Sequence, residues 1–194
     1  MSKQIEFFFD VGSPASYLAW TRLPSLAERY DANVVWKPML LGGVFQATGN
    51  TSPATVEAKG RYTQLDLQRF ARRYGVALNH NPHFPINTLT LMRGAAAYLG
   101  TSRLHDYLHA IFNAMWVEQR DMHQPEVIAE VLTAGGFDPQ DVLSRCSDPA
   151  VKDRLKSLTT EAVDRGVFGA PTFFVGVDMF FGQDRLEWVE RALG

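Results

Sequence analysis

Short apolar runs open and close the chain, and helical spacing fills the stretch between them. Residues 5–10 form an aromatic run that predicts a buried strand. Residues 13–30 repeat apolar side chains at helical spacing, and Pro24 is expected to kink or split that helix. Residues 33–38 predict a second strand that ends at Pro38. A strand, a crossover helix and a strand usually give two parallel strands.

The middle of the chain carries no strand pattern. Glycine pairs and Ser52-Pro53 predict a loop after the second strand. Helical spacing then recurs in six stretches, at 54–75, 87–99, 101–120, 124–134, 138–145 and 149–165. Two short strands follow at 170–175 and 178–181, joined by the turn Gly176-Val177, and a last helix begins near residue 182.

The predicted order is βαβ, a run of helices, and then ββα, which is the plan of the thioredoxin fold. We therefore expect an α/β protein with a thioredoxin-like βαβ…ββα domain interrupted by a long all-helical insertion. The thioredoxin-like domain comprises residues 1–41 and 166–194, and the helical insertion domain comprises residues 42–165.

Composition narrows the function classes. The 194 residues are 46% hydrophobic and carry a formal net charge of −2, so no general electrostatic footprint for nucleic acid or an anionic membrane exists. The single cysteine, Cys146, allows neither an internal disulfide nor a multi-cysteine zinc site, and we expect no metal. Neither a signal-peptide pattern nor a run of about 18 apolar residues is present, so we expect a cytoplasmic protein without a membrane partner.

The turn before the first long helix carries the first candidate chemistry. Ser13 is placed to cap the helix, with Pro14 at its first position. In the thioredoxin plan a redox Cys-x-x-Cys pair occupies this place, but here Ser13 and Ser16 stand at the two positions. A DsbA-type dithiol oxidoreductase is therefore excluded there. The helix start still suits an anion, such as a thiolate brought by a ligand, although Ser13 as a cap and nothing more is the alternative.

Two further features lie near the C-terminal strands. Pro171 opens a strand after a glycine-rich approach and is a candidate cis-proline facing the first helix, which would leave the backbone of Ala170 free to pair with an extended peptide ligand. An ordinary edge-strand proline is the alternative. Asp184 begins the last helix, where its charge interacts favourably with the helix dipole. Alternatively, it pairs with the ammonium of an amino-acid head group, such as the γ-glutamyl end of glutathione.

These segments resemble one known family. The resemblance is to the 2-hydroxychromene-2-carboxylate isomerases and the kappa-class glutathione transferases, and it spans essentially the whole chain. It is carried by ordered motifs at 8–18, 37–45 with 48–50, 84–88, 166–173 and 181–186.

The resemblance implies a glutathione cofactor and, usually, a homodimer. It implies that Ser13 is the catalytic residue and hydrogen-bonds the glutathione sulfur. Ala170, beside Pro171, would pair through its backbone with the cysteinyl part of glutathione, and Gln183 with Asp184 would hold the γ-glutamyl part.

The resemblance also suggests residues for the second substrate, a small aromatic carboxylate. Asn50 matches a ligand-binding position of the family, Lys59 lies in a matching segment, and Asn87 would reach the substrate from a helix start. Lys37, Lys59 or Arg61 would neutralise the substrate carboxylate, the alternative for each being a solvated surface charge.

The implied activity is a glutathione-dependent cis–trans isomerisation of 2-hydroxychromene-2-carboxylate to trans-o-hydroxybenzylidenepyruvate in naphthalene breakdown. It would proceed by reversible thiolate addition, which returns glutathione unchanged. Segments 42–45 and 84–88 favour the isomerases, and Gly12 and Tyr17 depart from the transferase pattern. A kappa-class-like glutathione transferase and a non-catalytic thioredoxin-like binding module are the alternatives.

Overall fold

A computed structural model describes residues 3–194, and its centre is a four-stranded sheet with the strand order β2-β1-β3-β4. Strand β1 runs parallel to β2, whereas β3 runs antiparallel to both β1 and β4. This arrangement confirms the predicted thioredoxin-like α/β class. The strands are β1 (Lys3–Phe9), β2 (Ala32–Pro38), β3 (Thr172–Val175) and β4 (Asp178–Phe181).

Helices occupy most of the remaining chain. They are α1 (Pro14–Tyr30), α2 (Leu41–Thr48), α3 (Glu57–Tyr74), α4 (Leu89–Tyr98), α5 (Leu104–Trp116), α6 (Pro125–Ala134), α7 (Pro139–Ser147), α8 (Pro149–Asp164) and α9 (Leu186–Leu193). Short 3-10 turns span Pro53–Thr55 and Gln183–Arg185. All six helices predicted between the two halves of the sheet are present, within a few residues of the expected bounds.

Two local features differ from expectation. Helix α1 is continuous through Pro24, so of the two expected effects of the proline, a kink or a split, the split does not occur. The predicted loop after β2 instead begins with helix α2, despite its two glycines. At Gly43 a Cβ atom would lie 3.3 Å from Thr159 Cγ2 of α8, so a side chain there would crowd that helix. The glycine therefore serves close helix packing rather than a turn.

The aromatic strand β1 supplies the centre of the core. Phe7 and Phe9 point to one face of the sheet and Phe8 to the other, as strand alternation requires. The Phe7 ring stacks on Phe9 at 5.0 Å and on Phe173 at 5.3 Å between ring centroids. This face packs against α1, α4 and α5 in one continuous cluster, while Phe8 packs with residues of α2 and α8. The division into two domains stays a prediction.

Hydropathy along the helices gives one further fact. Among residues 3–194, none of the helices combines the length and the apolar character that crossing a membrane requires.

Packing and helix propensity oppose each other at Gly94 of α4. Alanine in place of a helical glycine ordinarily adds up to about 1 kcal/mol of stability. A Cβ at Gly94 would overlap the phenol oxygen of buried Tyr107, whereas a Cβ at Gly42 of α2 would meet nothing within 4 Å. We expect Gly94→Ala to lower the free energy of unfolding by about 1–3 kcal/mol. Gly42→Ala, the matched control, should leave it unchanged or slightly raised in urea denaturation.

Candidate active site

Ser13 caps helix α1 and is almost completely buried, at 5% exposure. Its Oγ accepts a hydrogen bond from the Ser16 N–H at 3.1 Å and donates its own hydrogen to the Ala170 carbonyl oxygen at 3.0 Å. The second bond joins residues that are 157 positions apart. The hydroxyl therefore lies between the positive end of a helix and the segment that leads into β3.

Side chains of the helical segment fix the turn that carries Ser13. The Trp116 indole N–H donates to the Val11 carbonyl oxygen at 2.8 Å, and the Val11 N–H meets the Met92 sulfur at 3.3 Å. The Ser13 N–H donates to the Asp10 carbonyl oxygen at 3.0 Å. Because backbone groups on both sides of Ser13 are held, the cap position is defined from the helical segment as well as from β1.

Asp10 lies directly after β1 and is 1% exposed. Its Oδ1 accepts from the Gly12 N–H at 2.8 Å, and its Oδ2 accepts from the Leu41 N–H at 2.8 Å and the Thr88 hydroxyl at 3.0 Å. Burial raises the pKa of the Asp10 carboxyl, although the three hydrogen bonds act in the opposite direction. Sequence reasoning did not select Asp10 or Thr88. The sequence signal for Asp10 is its position as a charged residue at the end of an aromatic strand.

The segment around Pro171 faces Ser13. The Ala170–Pro171 peptide bond is cis, which confirms that prediction. The expectation that both backbone groups of Ala170 are free was wrong, because its carbonyl oxygen already accepts the Ser13 hydroxyl. Its N–H has no acceptor among residues 3–194. The Pro171 carbonyl oxygen accepts from the Gly182 N–H at 2.9 Å, which ties this segment to the start of the last helical region.

Gln183 and Asp184 lie in the 3-10 turn that precedes α9, rather than in α9 itself. Gln183 is buried, and its carbonyl oxygen accepts the Tyr74 hydroxyl at 3.1 Å. The Asp184 carboxylate turns back towards Gly182, where a Cβ would overlap it, and pairs with the adjacent Arg185. The hydrogen bond from the Gly182 N–H to the Pro171 carbonyl oxygen joins this turn to the segment that contacts Ser13.

The two predicted asparagines are both exposed. The Asn50 amide donates to the Phe168 carbonyl oxygen at 2.8 Å, which links the loop after α2 to the approach to Pro171. The Asn87 side chain accepts from the Leu89 N–H at 3.0 Å at the start of α4, next to Thr88. Asn87 is thus one residue from the group that bonds Asp10.

The three predicted cations have different surroundings. Lys37 on β2 pairs with Glu161 of α8 at 2.8 Å and lies 3.6 Å from Glu6, so its charge is already matched by two carboxylates. Arg61 pairs with Glu57 on the exposed surface of α3. Lys59, on the same helix, is exposed and forms no ion pair with residues 3–194. The structure therefore gives Lys37 a structural pairing and leaves the Lys59 charge available.

The protein has no reactive thiol of its own near Ser13. Its single cysteine, Cys146, lies in α7, and burial raises the pKa of its thiol to about 11. The Cys146 sulfur contacts the Thr90 carbonyl oxygen at 3.5 Å. Across residues 3–194, no cluster of three histidine, cysteine or carboxylate side chains is arranged to hold a metal ion.

The fold and this turn define a thioredoxin-like domain whose redox cysteine positions are taken by serines. A model of the DSBA-like thioredoxin domain matches residues 4–194, and the chain belongs to that family. The chain is 34% identical to 2-hydroxychromene-2-carboxylate isomerase of Pseudomonas putida, over 98% of its own length and 94% of that protein. It is 26% identical to glutathione S-transferase kappa 1 of Homo sapiens, over 100% of its length and 92% of that protein.

Solved structures agree with this assignment. A structure of 2-hydroxychromene-2-carboxylate isomerase has a TM-score of 0.88 and 32% sequence identity, and the match covers 98% of this chain and 94% of that one. DsbA of Pseudomonas aeruginosa, with a TM-score of 0.60 and 17% identity over 98% of this chain and 81% of that one, shares the fold alone.

The raised pKa of Asp10 predicts a pH-dependent contribution to stability. Between the ordinary carboxyl value of about 3.9 and the raised value, the folded protein holds a proton that the unfolded chain has released. The stability contribution is therefore fully present below about pH 3.9 and falls as the pH rises through this window. Asp10→Asn removes the titration. We expect the unfolding free-energy difference, wild type minus variant, to fall from about pH 4 to about pH 7 in urea denaturation. A difference that grows with pH would contradict this assignment.

Proposed function

We propose that the protein is a glutathione-dependent isomerase that converts 2-hydroxychromene-2-carboxylate to trans-o-hydroxybenzylidenepyruvate. The observation that carries the proposal is the Ser13 hydroxyl, held at the start of α1 against Ala170 in a chain that has no reactive thiol. The full-length similarity to proteins named 2-hydroxychromene-2-carboxylate isomerase supports the reaction assigned. We further propose that it works as a cytoplasmic homodimer in aromatic catabolism, as the family resemblance implies.

The residues around Ser13 fit glutathione. The N–H groups of Ala15 and Ala170 have no acceptor among residues 3–194, so both are available to a peptide ligand. The side-chain amide of Gln183 likewise forms no hydrogen bond within that range. Asp184 beside it carries a carboxylate for the γ-glutamyl ammonium. A thiol-bearing peptide would therefore find donors for its carbonyl groups and a partner for its charged head.

Binding would exchange one hydrogen bond for another at Ser13. The hydroxyl has a single hydrogen, which Ala170 O accepts in the structure. For the hydroxyl to donate to a ligand sulfur, that hydrogen must turn away from Ala170 O. The cysteinyl N–H of glutathione would then supply a replacement donor to Ala170 O, so no buried carbonyl is left without a partner. The Ser13 hydroxyl would therefore donate to Ala170 O before glutathione binds and to the glutathione sulfur afterwards.

The same turn lowers the pKa of a bound thiol. A free thiol titrates near about 8.5. A helix N-terminus contributes about 0.3–1 kcal/mol to a nearby anion, and a hydrogen bond to a charged acceptor contributes about 1.5–3 kcal/mol. Since one pKa unit corresponds to about 1.4 kcal/mol, the two effects together lower the thiol pKa by about 1–3 units. The thiolate would then be populated at neutral pH.

When bound, glutathione would supply a thiolate for reversible addition to the conjugated double bond, so that opening of the hemiketal ring leaves a single bond that can rotate and elimination of the thiolate restores the double bond and free glutathione. Ser13 holds and orients the sulfur, and the N–H groups at the start of α1 oppose its protonation. Asn50 and Asn87 offer amide groups to the phenol or keto oxygens of the substrate. Lys59, with Arg61 as a second candidate, meets the substrate carboxylate, since Lys37 is already paired.

The serine pair supplies a matched test of the mechanism. Ser13→Ala removes the donor to the sulfur, so we expect kcat/KM for isomerisation to fall by about 10–100-fold and the remaining activity to rise with pH. Ser16 is fully buried and its hydroxyl has no partner among residues 3–194, so Ser16→Ala should retain near-normal activity. The absorbance assay uses 2-hydroxychromene-2-carboxylate with and without catalytic glutathione.

Each other outcome of that assay has a definite meaning. Isomerisation that needs no glutathione, or that survives in Ser13→Ala, would contradict the mechanism. Stoichiometric consumption of glutathione with an aromatic electrophile, without isomerisation, would identify the transferase that the kappa-class similarity favours. Failure to bind glutathione would leave a thioredoxin-like binding module.

The cation assignment is tested with two lysine variants. Lys59→Met removes an unpaired charge, and we expect KM for the carboxylate substrate to rise by about 5–10-fold, equivalent to about 1–1.4 kcal/mol. Lys37→Met should leave KM unchanged but lower the free energy of unfolding, because Glu6 and Glu161 lose a cation. Steady-state kinetics with urea denaturation separates the two effects. If KM rises in Lys37→Met but not in Lys59→Met, then Lys37 rather than Lys59 meets the substrate carboxylate.

A further inference from the structure

We infer that Asp10 and Thr88 form a positioning pair that sets the orientation of the Ser13 hydroxyl towards the sulfur. The inference rests on the proposed function, which assigns the sulfur to Ser13. It extends that function to two buried residues, 1% and 7% exposed, whose polar side-chain atoms bond each other and backbone N–H groups. Both act through Gly12, the residue directly before Ser13.

The Asp10 carboxyl lies where three helices begin. The Gly12 N–H comes from the turn that enters α1, the Leu41 N–H is the first of α2, and the Thr88 hydroxyl belongs to the cap residue of α4. All three are neutral donors, and the Glu6, Lys37 and Arg165 charges pair among themselves elsewhere. Asp10 is therefore held by donor geometry rather than by an ion pair, and each donor fixes one helix start relative to the others.

Thr88 acts on the turn through both branches of its side chain. Its hydroxyl donates to Asp10 Oδ2 at 3.0 Å, and its methyl group lies where a Cβ on Gly12 would approach it to 2.8 Å. The absence of a side chain at Gly12 lets the backbone approach Thr88 closely. The Gly12 N–H donates to Asp10 Oδ1, which would lie 3.3 Å from the same Cβ position. The backbone at Gly12 is thus fixed by a hydrogen bond to a carboxyl oxygen and by close contact with a methyl group.

Motion at Gly12 would reach the hydroxyl directly. The Ser13 N–H donates to the Asp10 carbonyl oxygen, so Asp10 fixes both residues of the turn, one through its side chain and one through its backbone. A hydrogen bond prefers an angle above about 150° and weakens steeply below about 120°. A loosened Gly12 would therefore weaken the Ser13 bond to sulfur even when the protein stays folded.

Thr88→Val tests the pair with a variant of almost unchanged shape. Valine keeps the methyl group against Gly12 and removes the hydroxyl donor, whereas Thr88→Ser keeps the donor and removes the methyl group. The decisive measurement is the pH titration of the thiolate absorbance of glutathione bound to each variant. For Thr88→Val we expect a midpoint about 0.5–1 pH unit higher, equivalent to an acid dissociation constant of the bound thiol about 3–10-fold smaller. We also expect kcat at neutral pH to fall in proportion to the thiolate fraction. The affinity for glutathione at low pH, where the bound thiol is protonated, should change less than about twofold.

A purely structural role predicts a different result. In that case Thr88→Val would lower the unfolding midpoint in urea while the thiolate midpoint stays at the wild-type value, and this outcome would overturn the inference. A larger thiolate shift in Thr88→Ser than in Thr88→Val would also overturn it, because the methyl contact would then be the active feature. Wild-type protein that shows no thiolate absorbance with glutathione would instead refute the proposed function, and the positioning role with it.

Discussion

The hydrogen bond from the Ser13 hydroxyl to the Ala170 carbonyl oxygen links the two ends of the chain at the candidate site. It exists because the sheet places β1 beside β3 in antiparallel register, with Phe8 opposite Thr172. The carboxyl end of β1 and the amino end of β3 therefore share one edge. The turn that leaves β1 and the cis-proline segment that enters β3 must meet there, whatever the intervening residues do. The helix start, the proline and the 3-10 turn at Gln183 all take their positions from this edge.

This topological constraint explains why much of the fold could be predicted from the sequence. The aromatic run of β1, the Ser13-Pro14 cap and the Pro171 strand start are local signals, and their order alone defines which edge they share. Helix α2 could not be predicted in the same way, since Gly42 and Gly43 are typical of loops. That helix is stabilised by tertiary contacts, with its first N–H on Asp10 and its Gly43 against α8.

The site, like the fold, can be predicted from the sequence only where local motifs define it. Ser13, Ala170 and Gln183 lie in motifs that can be recognised along the chain, and the structure brings the segments that carry them together. The partner that Ala170 O finds without a ligand is not a property of any motif, because it depends on where one hydroxyl hydrogen points. Asp10 was missed for a related reason: its carboxyl accepts from three helix starts, two of them distant along the chain, and two of the donors are backbone groups that no residue type reveals.

The helical segment has a larger part in the site than an insertion into a finished domain would have. Thr88 and Met92 reach the turn from the start of α4, and Trp116 reaches it from the end of α5. All three contacts fall on residues 10–12, immediately before the serine. If the Ser13 hydroxyl is to donate to the thiol of a bound ligand, it must be held in a fixed orientation, because a hydrogen bond holds sulfur far more weakly than a covalent disulfide bond does. Contacts from the helices hold residues 10–12, so in the proposed function the sheet and the helical segment would together position Ser13.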